Sequence, residues 1–564
     1  MNHLFRRTKS CIRHEIDPDE IFLDSKNLPD FDVHQFEGRM EKPISMTSIV
    51  IMGSAFALVL LVLLGKAWSL QAKDGAEYAA ISENNILRET VIFAERGAVF
   101  DRNGVKLAWN AINEKDPDFA RRVYTKDPGF GHVLGYIRYP AKDSKGFYYR
   151  TDYEGVAGVE KHWDSLLQGS HGLKILQKNA LGEVESESVI RPAKDGENLS
   201  LSIDASVQKK LYESIAGLAE RVGFSGGGGM IMDIETGETI ALTSYPEYKS
   251  SVMTDGGDSD IIADYLKSSR KPFLNRVTGG LYTPGSIVKP LVAIAALEEG
   301  IIDPEKQILS TGSISIQNPY DKTRKTTFSD WKAHGLVDMR KAIAVSSNVY
   351  FYEVGGGFED QKGLGIGKLA AYFQRFGLGS KSETGFFSGP GGTVPTPEWK
   401  EKVFPGDPWR IGDTYFTSIG QYGFQVTPLQ MLRAVAAIAN GGLYIEPSIL
   451  KSSTSTPAAG KDVRIDPGHL EIAREGMRLA AQSGTASGLN VPYVDVAAKT
   501  GTAELGVSKA FVNSWVTGFF PYRSPKYAFI VMMEHGPRAN VYGATFVMRE
   551  LLDWMNATGS EYLK

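Results

Sequence analysis

The chain has 564 residues, 42% hydrophobic and 10% aromatic, which is enough apolar material for several cores and excludes a disordered or collagen-like polymer. Its 62 basic residues nearly balance 66 acidic ones, for a formal net charge of -4, so no global positive field argues for wrapping nucleic acid. The single cysteine, Cys11, excludes an intrachain disulfide and a cysteine-rich zinc site, and the nine histidines contain no His-Glu-x-x-His pair, so no metal is expected.

Residues 1–42 are polar and acidic, with scattered prolines and no sustained period, and are expected to be a tail; IFLDSKNLPDF within it is a candidate docking segment. Residues 43–66 are expected to form a single transmembrane helix, because no charge falls between Lys42 and Lys66 and a helix of that length spans roughly 30 Å of hydrocarbon. A cleaved signal peptide is disfavoured by the long preceding tail, and a buried core helix by length. Lys26, Arg39 and Lys42 barely outnumber Lys66 and Lys73, a mild bias that places the N-terminus in the cytoplasm. Cys11 is then in the reducing compartment and the large remainder is cysteine-free outside it, as suits a bacterial envelope protein of the plasma membrane.

Residues 67–200 mix short apolar alternations with turn signals such as Asn103-Gly104 and read as a β-rich, extended module. From 201 to 564 amphipathic helices such as VQKKLYESIAGLAERV alternate with strands such as MIMDI and TIALTSY, which makes the fold class α+β. No internal repeat is visible, and Gly226 to Gly229 is too short for a linker.

The chemistry is concentrated after residue 280. In LYTPGSIVKPLVAIAALEEG a Pro284-Gly285 turn precedes an apolar helical pattern, which puts Ser286 at a helix start and Lys289 one turn later on the same face. An amine kept neutral by burial or by other cations can take the proton of such a serine. Alone this spacing is weak: Ser268-Ser269-Arg270-Lys271 has it too, but Pro272 follows and no helix continues. AIAVSSNVYFYEVG adds Ser346-Ser347-Asn348 at the end of a small-residue helical run, and DVAAKTGTAELG adds Lys499-Thr500-Gly501-Thr502 on an expected strand. Gly501 reads either as an ordinary strand glycine or as a place where a substrate backbone lies against the strand. Gly223-Phe224-Ser225-Gly226-Gly227 matches a nucleophile elbow but has helix before it and strand after it, the reverse of what an elbow needs, and Gly363 to Lys368 lacks the Ser or Thr of a phosphate loop.

Ser-x-x-Lys, Ser-x-Asn and Lys-Thr-Gly in this order form the signature set of penicillin-interacting serine acyltransferases. With ERGAVFDRNGVKLAWN (95–110), EGVAGVEKHWDSLLQGSHG (154–172), KPFLNRVTGGLYTPGSIVKP and WRIGDTYFTSIGQYGFQVTPLQMLRAVAAIANGG (409–442), the chain from about residue 44 onward resembles the class B penicillin-binding proteins, and within them the cell-elongation branch. The resemblance implies a pedestal domain at 67–200 and, at 201–564, a serine β-lactamase-like transpeptidase domain with a central antiparallel sheet and helices. It implies that Ser286 is acylated by the penultimate D-alanine carbonyl of a peptidoglycan stem peptide and that a second stem's amine attacks the ester. Lys289 would be the base, Ser346 a proton relay and Asn348 the holder of Lys289 and of the substrate amide. Lys499 would keep the field positive and bond Ser346, Thr500 and Thr502 would hold substrate carboxylate and backbone beside Gly501, and the Ser286 and Thr502 N–H groups would form the oxyanion hole. It implies β-lactams as inhibitors, no cofactor, and a multipass SEDS-family glycan polymerase as partner.

Departures from the family pattern are Ile287, where threonine is frequent, Ser347, where many members carry cysteine, and a short stretch between Asn110 and His132, which argues against a full-sized pedestal head. The segment between membrane and catalytic domain leaves no room for a glycosyltransferase domain. Arg96, Asp101 and Arg102, interleaved with apolar residues, suit a charged network either between segments or against another protein, and a partner contact through Arg96 and Arg102 is the expectation. A D,D-carboxypeptidase, a β-lactam-hydrolysing or sensing relative, and a non-catalytic scaffold for a polymerase are the alternative functions.

Overall fold

A computed structural model describes residues 45–79, 87–144, 146–178, 184–318, 321, 323–382, 385–452 and 457–563. The expected tail, its docking segment and Cys11 lie outside the described residues. The described parts of 1–88 and 177–185 form one compact unit; 89–176 with 186–564 form another.

The first unit carries helix α1 (Met46–Trp68), capped by the Ser45 hydroxyl on the Ser48 N–H and buried nowhere along its length. With the π-helical turn Ser69–Lys73 it is a single apolar rod of 28 residues, longer than the expected 43–66 span at its C-terminal end and long enough to cross a bilayer. An apolar helix with no buried face needs a solvent other than water, which fits a single-pass membrane anchor.

The second unit opens with a small four-stranded sheet of β1 (Val99–Phe100), β2 (Lys106–Ala111), β3 (Arg121–Tyr124) and β4 (Leu199–Ser200), in the order β4-β1-β2-β3, with β4 parallel to β1. Behind it the guanidinium groups of Arg96 and Arg122, both with fully buried side chains, converge on the buried carboxylate of Glu160 at 2.6 and 2.7 Å, and Arg96 also reaches Asp164 at 2.7 Å. The expected outward contact through Arg96 is therefore corrected: this arginine faces inward. The rest of the same sequence signature also makes internal joints. Asp101 accepts the N–H groups of Asn103 and Val105 across the turn and that of Ala205 (3.1 Å), Arg102 pairs with Glu238 (3.3 Å), and Asn103 donates to Asp204 (3.2 Å). Those joints reach across the expected border at residues 200–201, which thus falls inside a single compact unit.

The larger part of this unit is built on a five-stranded antiparallel sheet of β5 (Gly226–Asp233), β6 (Thr239–Tyr245), β7 (Ala497–Leu505), β8 (Phe511–Phe520) and β9 (Tyr527–Pro537), ordered β6-β5-β9-β8-β7. Its helices include α2 (Ala205–Val222), α3 (Lys289–Glu298), α4 (Met339–Val345), α5 (Asn348–Gly356), α6 (Pro428–Ala439), α7 (Pro467–Ser483) and α8 (Ala544–Ala557). Alternation along the strands separates two cores. Ile231, Val516, Phe529 and Val531 meet Leu211, Ile215, Val547 and Leu551 of α2 and α8, while Met230, Met232, Trp515 and Ile530 face the other core with Leu291, Ile294, Leu432 and Val435 of α3 and α6. The glycine run opens β5, and Ser225 before it is a loop residue whose hydroxyl donates to the Glu534 carbonyl (3.1 Å). The antiparallel sheet with helices on both faces agrees with the α+β expectation.

Candidate active site

Ser286 does not start an α-helix directly. It lies in the 3₁₀ turn Gly285–Val288, which feeds α3 with Pro290 in its first turn, where the missing N–H costs no hydrogen bond. The turn is fixed from three sides. Gly285 has φ 58° and donates to the Gly420 carbonyl at 3.0 Å, and the Trp515 indole donates to the Thr283 carbonyl at 3.1 Å. A Cβ on Gly501 would meet Pro284 O and Ile287 Cγ2 at 2.9 Å each. Close approach of the Gly285–Val288 turn to β7 is thus a reason for glycine at 501 besides any approach by a substrate.

From this turn Lys289 points into the interior. Every residue from Lys289 to Leu297 is buried. Its ammonium donates to Ser346 O (2.7 Å), Ser346 Oγ (3.2 Å) and Asn348 Oδ1 (2.7 Å). Among the hydrogen bonds of the described residues none joins Ser286 Oγ to Lys289 Nζ; such bonds commonly tighten only once substrate is bound.

The Ser-x-Asn motif is the joint between two helices. Ser346 caps α4 in the left-handed conformation (φ 59°, ψ 41°), which turns both its carbonyl and its hydroxyl toward Lys289. Ser347 caps α5 by accepting the Tyr350 N–H at 3.3 Å, so Asn348 is the first residue of that helix. The third motif lies on β7, an edge strand among the described residues, in register with β8: Lys499 opposite Thr517, Thr502 opposite Ser514. Lys499 Nζ donates to Ser346 Oγ at 2.9 Å and to its neighbour's carbonyl, Thr500 O, at 2.8 Å.

The geometry thus brings Lys289, Ser346, Asn348 and Lys499 together around one serine hydroxyl, with Ser286 and Thr500 to Thr502 on the elements that frame it. Burial pushes the Lys289 amine down to about 7, and burial reinforced by Lys289 pushes Lys499 well below the usual lysine range. Both are displaced because both are fully buried, and the Lys289 ammonium adds its repulsion at Lys499.

Two contributors lack any motif. The Thr500 hydroxyl donates to Thr485 Oγ at 2.6 Å, and Thr485 is anchored by its N–H on the Ala344 carbonyl of α4. Asp330, directly after the strand Lys325–Ser329, lies behind Ser347 and accepts its hydroxyl at 2.9 Å. Neither has a spacing signal in the sequence, because each reaches the site by a tertiary contact. The decoys lie elsewhere: Ser268 ends the helix Ser259–Lys267, and Lys368 pairs with Glu299 at 2.6 Å.

Comparison with known families matches residues 227–553, more than half of the chain, to the penicillin binding protein transpeptidase domain. The chain belongs to the penicillin-binding protein transpeptidases. Residues 118–201 of this transpeptidase match the penicillin-binding protein dimerisation domain. It is similar to the peptidoglycan D,D-transpeptidase MrdA of Haemophilus influenzae, 28% identical over 77% of this chain and 69% of that one, and to that of Escherichia coli K12, 26% identical over 87% and 91%. Among solved structures it resembles a complex between the penicillin-binding protein PBP2 and MreC from Helicobacter pylori, with a TM-score of 0.68 and 27% identity over 84% of this chain and 99% of that one. The class B, elongation-type resemblance read from the motifs agrees with these relatives.

Proposed function

We propose that this transpeptidase is a membrane-anchored peptidoglycan D,D-transpeptidase of cell elongation that cross-links stem peptides through an acyl-enzyme on Ser286. The observation that carries the reading is the convergence of two buried lysines, from motifs far apart in the chain, on the Ser346 hydroxyl next to the turn that bears Ser286.

Ser286 Oγ attacks the carbonyl between the two D-alanines while its proton passes to the Lys289 amine, whose low proton affinity suits it to act as base near neutral pH. The carbonyl oxygen gathers negative charge against the N–H groups of Ser286 and Thr502. Collapse breaks the peptide bond, and the terminal D-alanine leaves with a proton relayed through Ser346. An amine of a second stem then attacks the ester, gives its proton to the same relay and releases Ser286. Asn348 orients Lys289 and the substrate amide, Lys499 holds Ser346 and supplies positive field, and Thr500 and Thr502 receive the substrate carboxylate and backbone on the open edge of β7.

Topology and partner complete the proposal: residues 1–42 cytoplasmic, residues 43–66 membrane-spanning, 67–200 a pedestal and 201–564 the catalytic domain outside, with a SEDS-family glycan polymerase as companion. The relative from Helicobacter pylori was solved in complex with MreC, which supports an assembly of this general kind.

Mass spectrometry after benzylpenicillin treatment is expected to show one adduct, on the peptide containing Ser286. An adduct on Ser225 or Ser268 overturns the assignment. Incubation with a stem peptide and an amine acceptor is expected to yield the cross-linked amide; free D-alanine with only hydrolysed stem would mark a carboxypeptidase instead.

A further inference from the structure

Asp330 is a buried carboxylate, its side chain fully shielded from solvent, without a guanidinium or ammonium in hydrogen-bond range among the described residues. Oδ2 accepts the Ser347 hydroxyl (2.9 Å), the Val349 N–H (3.0 Å) and, more weakly, the Ser310 hydroxyl (3.4 Å), and Oδ1 accepts the Trp331 N–H (2.8 Å). Ser347 and Val349 alternate with Ser346 and Asn348, so the aspartate grips from behind the segment whose front face holds the catalytic lysine. That segment needs a grip. A serine in the left-handed region is strained and persists only where its surroundings over-determine it. Val349 is in the first turn of α5, where a negative charge is also favoured by the helix N-terminus.

We propose that Asp330 is a positioning residue of the acylation reaction, which locks the Ser346–Asn348 turn against Lys289 and sets its buried negative charge behind that turn. This rests on the reading of Lys289 as the base. The titratable and charged groups around Lys289 are Asp330 from the loop after the strand Lys325–Ser329, Lys499 from β7 and His334, with Lys332 acting in turn on His334. His334 Nε2 stands 3.6 Å from Asp330 Oδ1, and burial holds that imidazole below its ordinary proton affinity, so it does not cancel the carboxylate. Asp330 alone of these groups favours the ammonium form of Lys289.

The sign of the effect follows. Removing the negative charge makes Lys289 lose its proton more readily, so the free amine persists to lower pH. In the full-length protein in detergent, the second-order acylation rate with a fluorescent penicillin is measured against pH for the native chain, Asp330→Asn and Ser347→Ala. Asp330→Asn, which keeps an acceptor but no charge, is expected to move the acid limb down by about one pH unit. Ser347→Ala keeps the charge but loses part of the grip, and is expected to lower the plateau by about tenfold with the limb in place. A purely structural aspartate would lower the plateau without moving the limb, and that result for Asp330→Asn, or an unchanged profile, overturns the proposal. If the native chain is not acylated on Ser286, the transpeptidase reading has failed first, and the two failures are distinguished by that control.

Discussion

Two ammonium ions cannot share the Ser346 hydroxyl in a buried site at little cost, and on the proposed mechanism the proton inventory of Lys289 and Lys499 governs the reaction. With Lys289 pushed down to about 7 by burial, the basic amine is available above that pH and lost below it, so the acylation rate is expected to rise through neutrality and to show an apparent acidic limb near 7. Lys289→Ala is expected to lower acylation about a thousandfold, because the amine one helical turn from Ser286 is then gone. Lys499→Arg keeps a charge but forks its donors, and part of the rate is expected to survive. Comparable losses in both variants, read from the same rate measurement, would mean that geometry and not charge is what Lys499 supplies.

At the scale of elements, three pieces distant in the chain are held within hydrogen-bond reach by backbone features: a 3₁₀ turn on a buried helix, a left-handed helix joint and an edge strand. The contact between the first and the last is tight enough to test. A Cβ at Gly501 meets the carbonyl oxygen of Pro284 and the side chain of Ile287 at 2.9 Å, so Gly501→Ala must push the Gly285–Val288 turn outward. A displacement of that order is expected to lower acylation about a hundredfold while the melting temperature changes little. The same elements show how far sequence reading reached. The placement of Lys289, Ser346, Asn348 and Lys499 around one hydroxyl, with Ser286 on the adjoining turn, was legible from motifs at fixed spacings, and the strand and helices around them because apolar periodicity is local. The inward turn of Arg96 and the contributions of Asp330 and Thr485 were not legible. Each is decided by a partner remote in the chain, Glu160, Ser347 or Thr500, and a run of mixed charge looks the same whether it faces water or Glu160.

For the whole molecule, the buried cluster of Arg96, Arg122 and Glu160 ties the small sheet to the remainder of its unit. Glu160→Ala leaves two buried guanidinium groups short of their anion and is expected to cost about 3–5 kcal/mol of stability, measured by denaturant unfolding. The acylation rate of the folded fraction should be unchanged, since none of these groups touches the site. Reversing charge at Arg96 is accordingly a test of folding, and a partner surface on this region has to be sought among residues that face solvent. The burial of α3 from Lys289 to Leu297 has a further result, in time rather than in space. A segment with no exposed face has no partial opening of its own, so its amide hydrogens should exchange with deuterium only when the catalytic fold opens as a whole. The protein is then expected to lose penicillin labelling and slow-exchanging amides at one and the same temperature on heating, with no interval in which the fold persists and the nucleophile has come loose.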